Sequence, residues 1–206
     1  IDALINLIKD LDTELLGISL RSSSYKTAAA IIKRLREGHR DIKIIIGGTH
    51  AILSPEECIE AADIVCLGEG EFPFLELLRN YSNGLESIKK IPGLWVKQNG
   101  QIYKNQINEL IDINQIPVID YSNDNKWYIE NDTVKTGDPL IGNSVGEIFS
   151  SRGCPYHCTY CTNNVLKSIM REGKFVRLRS VDNVIKDIYN IKGYFKNFKT
   201  TFKTHT

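Results

Sequence analysis

Strand-like and helix-like stretches alternate through the first third of this chain, and that alternation restricts the fold more than any other feature. Residues 14–20 (Glu-Leu-Leu-Gly-Ile-Ser-Leu) form a short apolar run suited to a buried strand. Residues 24–37 then place Tyr25, Ala28, Ala29, Ile32 and Leu35 at the spacing of an amphipathic helix, with Gly38 as its stop. Ile42 to Ile46 reads as the next strand and ends in Gly47-Gly48. Ser54-Pro55-Glu56-Glu57 predicts a helix start, with serine as N-cap, proline at the first position and Glu57 closing a capping box. Asp63 to Leu67 is a third strand, followed by Gly68-Glu69-Gly70-Glu71 and a helix to about Tyr81. Strands and helices alternating through short loops imply a parallel sheet covered by helices. Ligands of such sheets bind outside the carboxyl ends of the strands, where this chain places Ser19–Ser24, Gly47–His50 and Gly68–Glu71.

Further along, Gln98-Asn99-Gly100-Gln101 between two apolar stretches is a hairpin signal. Residues 105–145 are polar, with Asn, Asp and Pro clusters, and read as a linker. Glu147 to Ser150 predicts a new strand, residues 181–191 a helix capped by Ser180, and residues 198–202 another strand. A strand, a loop, a helix and a strand resemble the opening of a β/α barrel, whose active sites sit at the carboxyl ends of the strands.

The loop after that first strand carries three of the chain's five cysteines. Cys154, Cys158 and Cys161 have the spacing C-x3-C-x2-C within Ser151-Arg-Gly-Cys-Pro-Tyr-His-Cys-Thr-Tyr-Cys161. Thiolates are soft donors suited to iron–sulfur clusters or zinc. Three of them hold three irons of a [4Fe–4S] cube and leave the fourth iron open. A zinc site using His157 or His205 as fourth donor is the competing assignment. Cys58, on a helix, and Cys66, in a strand, read as small buried hydrophobes.

Composition narrows the class. With 206 residues, 42% hydrophobic and 25% charged, the chain is ordinary globular material for one large or two small domains. A net charge of +1 gives no reason to expect nucleic acid as partner. No apolar run reaches the length of about 18 residues that a membrane helix needs. Cysteines packed so closely argue against a disulfide framework and for a reducing, cytoplasmic compartment. The opening Ile1-Asp-Ala-Leu-Ile-Asn-Leu-Ile reads as mid-helix and the end as mid-strand, so a piece of a longer protein is expected.

The cysteine spacing, with Tyr160 before the last cysteine, resembles the cluster motif of radical SAM enzymes. The flanking Ser151-Arg-Gly-Cys-Pro and Arg177-Leu-Arg-Ser180 look like the branch of that superfamily that uses cobalamin (vitamin B12). Upstream, Gly17-Ile-Ser-Leu20, Ile45-Ile-Gly-Gly-Thr-His50 and Asp63-Ile-Val-Cys-Leu-Gly-Glu-Gly-Glu71 are similar to the later part of a cobalamin-binding domain. The resemblance implies an α/β architecture in three parts: a partial Rossmann-like (flavodoxin-like) cobalamin-binding domain over residues 1–85, a connecting hairpin and linker over 86–145, and the start of a radical SAM barrel over 146–206.

By the same resemblance, Cys154, Cys158 and Cys161 ligate a [4Fe–4S] cluster that binds S-adenosylmethionine and cleaves it to a 5′-deoxyadenosyl radical. Cobalamin then serves methyl transfer, or cyclisation or rearrangement, at an unactivated carbon of a small-molecule substrate. An external one-electron donor such as a flavodoxin or ferredoxin is implied. Tyr160 matches the aromatic position near the adenine. Ser19 matches the serine of the Ser-x-Leu motif beside the nucleotide tail, although Arg21 stands where that motif has leucine. Gly47 and Gly48 match the pair that leaves room for the tail, and Gly68 and Glu69 the Gly-Glu after the last strand. Bland roles stay open for several: Ser19 as a helix cap, Gly47-Gly48 as a plain turn, Glu69 and Glu71 as a solvated pair opening a helix, His50 as a loop residue. Two other functions remain in view. One is a methylthiotransferase-like enzyme, for which Cys58 and Cys66 are too few and wrongly placed. The other is a non-catalytic cobalamin-binding module.

Overall fold

The computed structural model describes residues 1–38, 41–141, 145–170, 174–195 and 199–204. The chain forms two compact units, one built mainly from Ile5–Leu110 and the other mainly from Ile111–Lys167 and Gly173–Thr206.

In the first unit, helix α1 (Asp2–Asp10) leads into strand β1 (Leu15–Ser19), helix α2 (Tyr25–Gly38), strand β2 (Lys43–Gly47), short helices α3 (Thr49–Leu53) and α4 (Pro55–Ala61), strand β3 (Ile64–Cys66), helix α5 (Glu71–Asn80) and helix α6 (Leu85–Ile88). Strands β4 (Leu94–Gln98) and β5 (Gln101–Lys104) complete the sheet, whose order is β1-β2-β3-β4-β5. β1, β2 and β3 are parallel, with Ile18 opposite Ile46 and Ile46 opposite Val65. β4 turns antiparallel to β3, and β5 antiparallel to β4. The hairpin expected as a connector is therefore the far edge of this sheet. Its turn is the Asn-Gly pair, with φ of 51° at Asn99 and 78° at Gly100, the left-handed values that a two-residue hairpin demands.

The middle of β2 is buried because it lies between two strands and under helices: Ile44 and Ile46 are fully enclosed. β1, at the opposite edge, is only half-buried. Ile45, Ile64, Cys66, Leu77, Ile88, Leu94 and Val96 form one core cluster between the sheet and helices α5 and α6. Truncating any of its large aliphatics to alanine costs about 2–5 kcal/mol.

The capping box expected at Ser54 and Glu57 does not form. Ser54 ends α3 and begins α4 with φ −139° and ψ 59°, and its side chain makes no capping bond. The Glu57 carboxylate is instead 3.2 Å from His50 Nε2.

In the second unit, hairpin β6 (Trp127–Glu130) and β7 (Thr133–Thr136) precedes strand β8 (Val145–Arg152), helix α7 (Thr162–Ile169), strand β9 (Arg177–Leu178), helix α8 (Val181–Lys192) and strand β10 (Lys199–Thr204). β10 runs parallel to β8, so β8, α8 and β10 make a βαβ unit, the repeat from which a β/α barrel is built. β9 pairs antiparallel to the end of β8. The core joins Tyr121, Ile148, Ile191 and Phe195. The segment read as a linker is tied in by side chains: the Asn114 amide oxygen accepts from the Ser180 backbone N–H at 2.6 Å and the Asn183 amide at 3.1 Å.

Candidate functional site

The carboxyl ends of β1, β2 and β3 open into a cleft of about 490 Å³. Its lining includes Gly17, Ser19, Gly47, Gly48, Gly68 and Gly70, together with Cys66, Glu71 and Phe74. Of the residues singled out upstream, Ser19, Gly47, Gly48 and Gly68 are brought together here, while Glu69 is half-buried and does not line the cleft.

The glycines divide by what a side chain would meet. At Gly48, φ is +89° and a Cβ would lie 2.7 Å from the Leu20 carbonyl oxygen. At Gly68, φ is +74° and a Cβ would lie 2.8 Å from Ile107 Cγ2. The chain path itself requires glycine at both, since a bulkier residue meets strain and a clash. Gly47, Gly17 and Gly70 differ. A Cβ on Gly47 would touch Cys66 Cβ at 3.6 Å, one on Gly17 would touch Ile45 at 3.7 Å, and one on Gly70 would meet Cys66 Sγ at 3.6 Å, all ordinary contacts. These three bare positions leave the floor of the cleft open, as a flat ligand close to the backbone needs.

Cys66 stands in this wall as a neutral thiol: burial, and secondarily the Glu71 carboxylate, push its pKa up to about 11. Burial likewise pushes Cys58 to about 11. Both behave as the small hydrophobes expected. Gly17, Gly70, Cys66 and Phe74 were not picked out in the sequence as site residues. A glycine interrupting the apolar run of β1 was the available signal for Gly17.

A smaller polar cleft of about 390 Å³ adjoins the same strand ends, lined by Ser19, Leu20, Arg21, Ser24, Gly48 and Thr49. Behind it lies His50, only 6% exposed. Its Nδ1 is 3.0 Å from the Ser22 hydroxyl. Its Nε2 approaches Glu57 within ion-pair distance but off the line of a hydrogen bond. The Tyr25 ring packs on the imidazole at 4.6 Å between centroids. His50 belongs to α3 rather than to an open loop.

In the second unit the cysteine loop begins where β8 ends. Gly153 has φ +84°, and any Cβ there would collide with the Phe175 carbonyl. Cys154 is buried, Cys158 exposed and Cys161 half-buried, all as free thiols. Cys161 immediately precedes α7, and its carbonyl accepts from the Asn164 N–H at 3.1 Å. Tyr160, beside it, is 91% exposed. Among the described residues no three His, Cys, Asp or Glu side chains stand close enough to share one metal ion. The donor chemistry fits an iron–sulfur cluster: three thiols on one eight-residue loop at a strand's carboxyl end. It fits zinc less well, because His157 Nε2 faces Lys167 Nζ at 3.0 Å; His205 lies outside the described residues.

A parallel sheet whose strand ends enclose a glycine-floored cleft is the frame of a cofactor-binding α/β domain, and residues 1–78 match the family model of the B12 binding domain. Over that stretch the chain is similar to a B12-binding domain. The chain as a whole has the fold of the cobalamin-dependent S-adenosylmethionine radical enzyme OxsB, with a TM-score of 0.65 and 20% identity over 97% of this chain and 27% of that one. It is 30% identical over 187 residues to an uncharacterized methyltransferase of Pyrococcus horikoshii, covering 88% of this chain and 37% of that protein. It is 25% identical over 217 residues to the cytidylyl-2-hydroxyethylphosphonate methyltransferase of Streptomyces wedmorensis, covering 93% and 39%. It is 24% identical over 204 residues to the bacteriochlorophyllide d C-8(2)-methyltransferase of Chlorobaculum tepidum, covering 94% and 38%. The chain thus spans less than two fifths of the length of these curated relatives. Among the described residues no helix is long and apolar enough to cross a membrane.

Proposed function

We propose that the chain binds cobalamin in the cleft at the ends of β1, β2 and β3, and that Cys154, Cys158 and Cys161 ligate a [4Fe–4S] cluster that works with S-adenosylmethionine. The pair serves methyl transfer to an unactivated carbon of a small-molecule substrate. The floor of Gly17, Gly47 and Gly70 carries this reading, because neither backbone conformation nor crowding explains glycine at those three places. Phe74 gives the cleft an aromatic side, Ser19 a hydroxyl at the rim, and the neutral Cys66 thiol an uncharged wall. When bound, the cluster supplies the electron that cleaves S-adenosylmethionine and the corrinoid supplies a methyl carrier.

The cysteine loop contributes donors and position: it leaves β8, the first strand of a βαβ unit, at its carboxyl end, where barrel active sites lie. Tyr160, exposed on that loop, would contact the adenosyl group, as the resemblance implies. The reading also assigns residues 1–85 to the corrinoid domain and 146–206 to the beginning of a barrel. It further implies an external electron donor such as a flavodoxin or ferredoxin, and a reducing, cytoplasmic setting in keeping with five free thiols. The named relatives methylate chemically unlike acceptors, a cytidylyl phosphonate and a bacteriochlorophyllide, so the acceptor is left at the level of class.

The test is anaerobic. The 206-residue chain is reconstituted with iron and sulfide and titrated with hydroxocobalamin. The reading expects a brown protein with about four irons per chain and saturable corrinoid binding. A chain that takes up zinc at the loop, or none of these, overturns it.

A further inference from the structure

We infer that His50 is a positioning residue for the corrinoid site: it fixes the Ser22–Ser24 turn, and with it one wall of the polar cleft beside the glycine floor. The inference rests on the proposed corrinoid binding and adds a residue to it.

The turn is held from outside as well as from within. Arg21 to Ser24 are all exposed, and the turn's own backbone bonds run from the Ser24 N–H to the Arg21 carbonyl at 2.9 Å and from the Tyr25 N–H to the Ser22 carbonyl. Yet Arg21 and Ser24 line the polar cleft together with Ser19, Gly48 and Thr49, so a ligand there reads where the turn sits. His50 ties this turn to two other segments. Its imidazole Nδ1 meets the Ser22 hydroxyl at 3.0 Å, and its backbone N–H donates to the Leu20 carbonyl at 3.3 Å. On the far side, Glu57 of α4 lies 3.2 Å from Nε2. Tyr25, the first residue of α2, packs on the ring and donates its hydroxyl to the Glu57 carbonyl at 3.0 Å. The loop after β1, the start of α3 and the first turn of α4 thus meet on one buried ring. A side chain buried so far and joined to a polar turn at the mouth of a cleft orders that mouth before a ligand arrives, which lowers the cost of binding.

The test compares hydroxocobalamin affinity of the 206-residue chain with that of His50→Leu, His50→Gln, Ser22→Ala and, as a control for general destabilisation, Ile88→Ala. Thermal midpoints are measured on the same samples. Ser22 is exposed, so Ser22→Ala folds even if His50→Leu does not. The expected result is a loss of roughly tenfold in affinity for His50→Leu and several-fold for Ser22→Ala, the scale of one lost hydrogen bond. His50→Gln, which keeps a polar group toward Ser22, recovers part of it. Ile88→Ala lowers the midpoint but leaves affinity unchanged. If wild type binds and Ser22→Ala binds equally well, the positioning role is overturned while corrinoid binding stands. If wild type itself does not bind, the proposed function fails first and takes this role with it.

Discussion

Arg179 and Asp187 form an ion pair inside the second unit, with side chains 11% and 4% exposed. The second guanidinium nitrogen reaches the other carboxylate oxygen at 3.4 Å, so the pair is two-pronged. It ties the segment just after β9 to the middle of α8, and the Arg179 N–H donates to the Ser150 carbonyl at the end of β8. The path into the cysteine loop is thereby fixed at the strand from which it springs.

Removing one member of such a pair leaves a buried charge without a partner. Asp187→Ala is expected to destabilise the second unit by about 3–5 kcal/mol. The double variant Arg179→Met/Asp187→Leu is expected to cost markedly less, because no charge is stranded. Urea unfolding with a tryptophan probe such as Trp127 reads both. Equal losses would show that the pair's packing, not its charge, matters.

The glycine pair at the end of β2 separates backbone need from ligand need. Gly48→Ala is expected to cost at least roughly 1–3 kcal/mol in stability, from left-handed strain and contact with Leu20. Gly47→Leu has room for its Cβ and is expected to change stability by less than about 1 kcal/mol. Its side chain would fill the cleft, and cobalamin affinity should fall at least tenfold, or about 1.4 kcal/mol. Circular dichroism melts and corrinoid titration distinguish the two. Unchanged affinity in Gly47→Leu would remove the cleft from the cofactor's path.

Cys158→Ala is expected to abolish cluster assembly. Cys158 is exposed, so the loss leaves both units folded, and the first unit keeps its corrinoid affinity. Iron and sulfide analysis after anaerobic reconstitution checks this. Full iron content in the variant would contradict the ligand assignment.

Alkaline stability follows from the buried thiols. Cys58 and Cys66 hold their protons to about pH 11 when folded, against an ordinary thiol value of 9.0. Between these values the unfolded chain has lost protons that the folded chain keeps, so stability falls as pH rises through that window. Below pH 9 the effect is absent. Cys66, the more deeply enclosed of the two thiols, accounts for roughly 2–3 kcal/mol at its limit. The double variant Cys58→Ala/Cys66→Ala should show a shallower fall in thermal midpoint from pH 9 to 11 than wild type. Lys97, whose pKa burial depresses, works in the opposite sense but is common to both proteins and cancels. Parallel profiles would mean that the thiols titrate normally.

What could be read from the sequence was local. The Asn99-Gly100 turn and the Ser180 cap each depend on neighbours within three residues, and the structure has both, with the Ser180 hydroxyl accepting from the Asn183 N–H. The hairpin at residues 127–136 escaped notice because β7 is exposed along its whole length and so shows no buried alternation. Helix Thr162–Ile169 was missed because it spans only two turns, although Val165, Leu166 and Ile169 fall on one face of it. The failed capping box is instructive in the other direction. Ser54 and Glu57 are correctly spaced, but His50 competes for the carboxylate, and its tie to Ser22 spans 28 residues. The division among the glycines was also beyond one dimension, since Gly47 and Gly48 are neighbours whose difference lies in Leu20 and Cys66.

Gly17, Gly47 and Gly70 give the cleft a platform with no rotatable atoms. An arriving molecule freezes no side-chain motion there, so that part of the surface is ready-made in entropic terms. The same bareness limits how it can be remodelled over generations: every substitution at those codons adds bulk, and none can fine-tune. Adaptation to a different guest must therefore proceed through the movable walls around Phe74 and the Ser22 turn, while the floor is kept or lost as a whole.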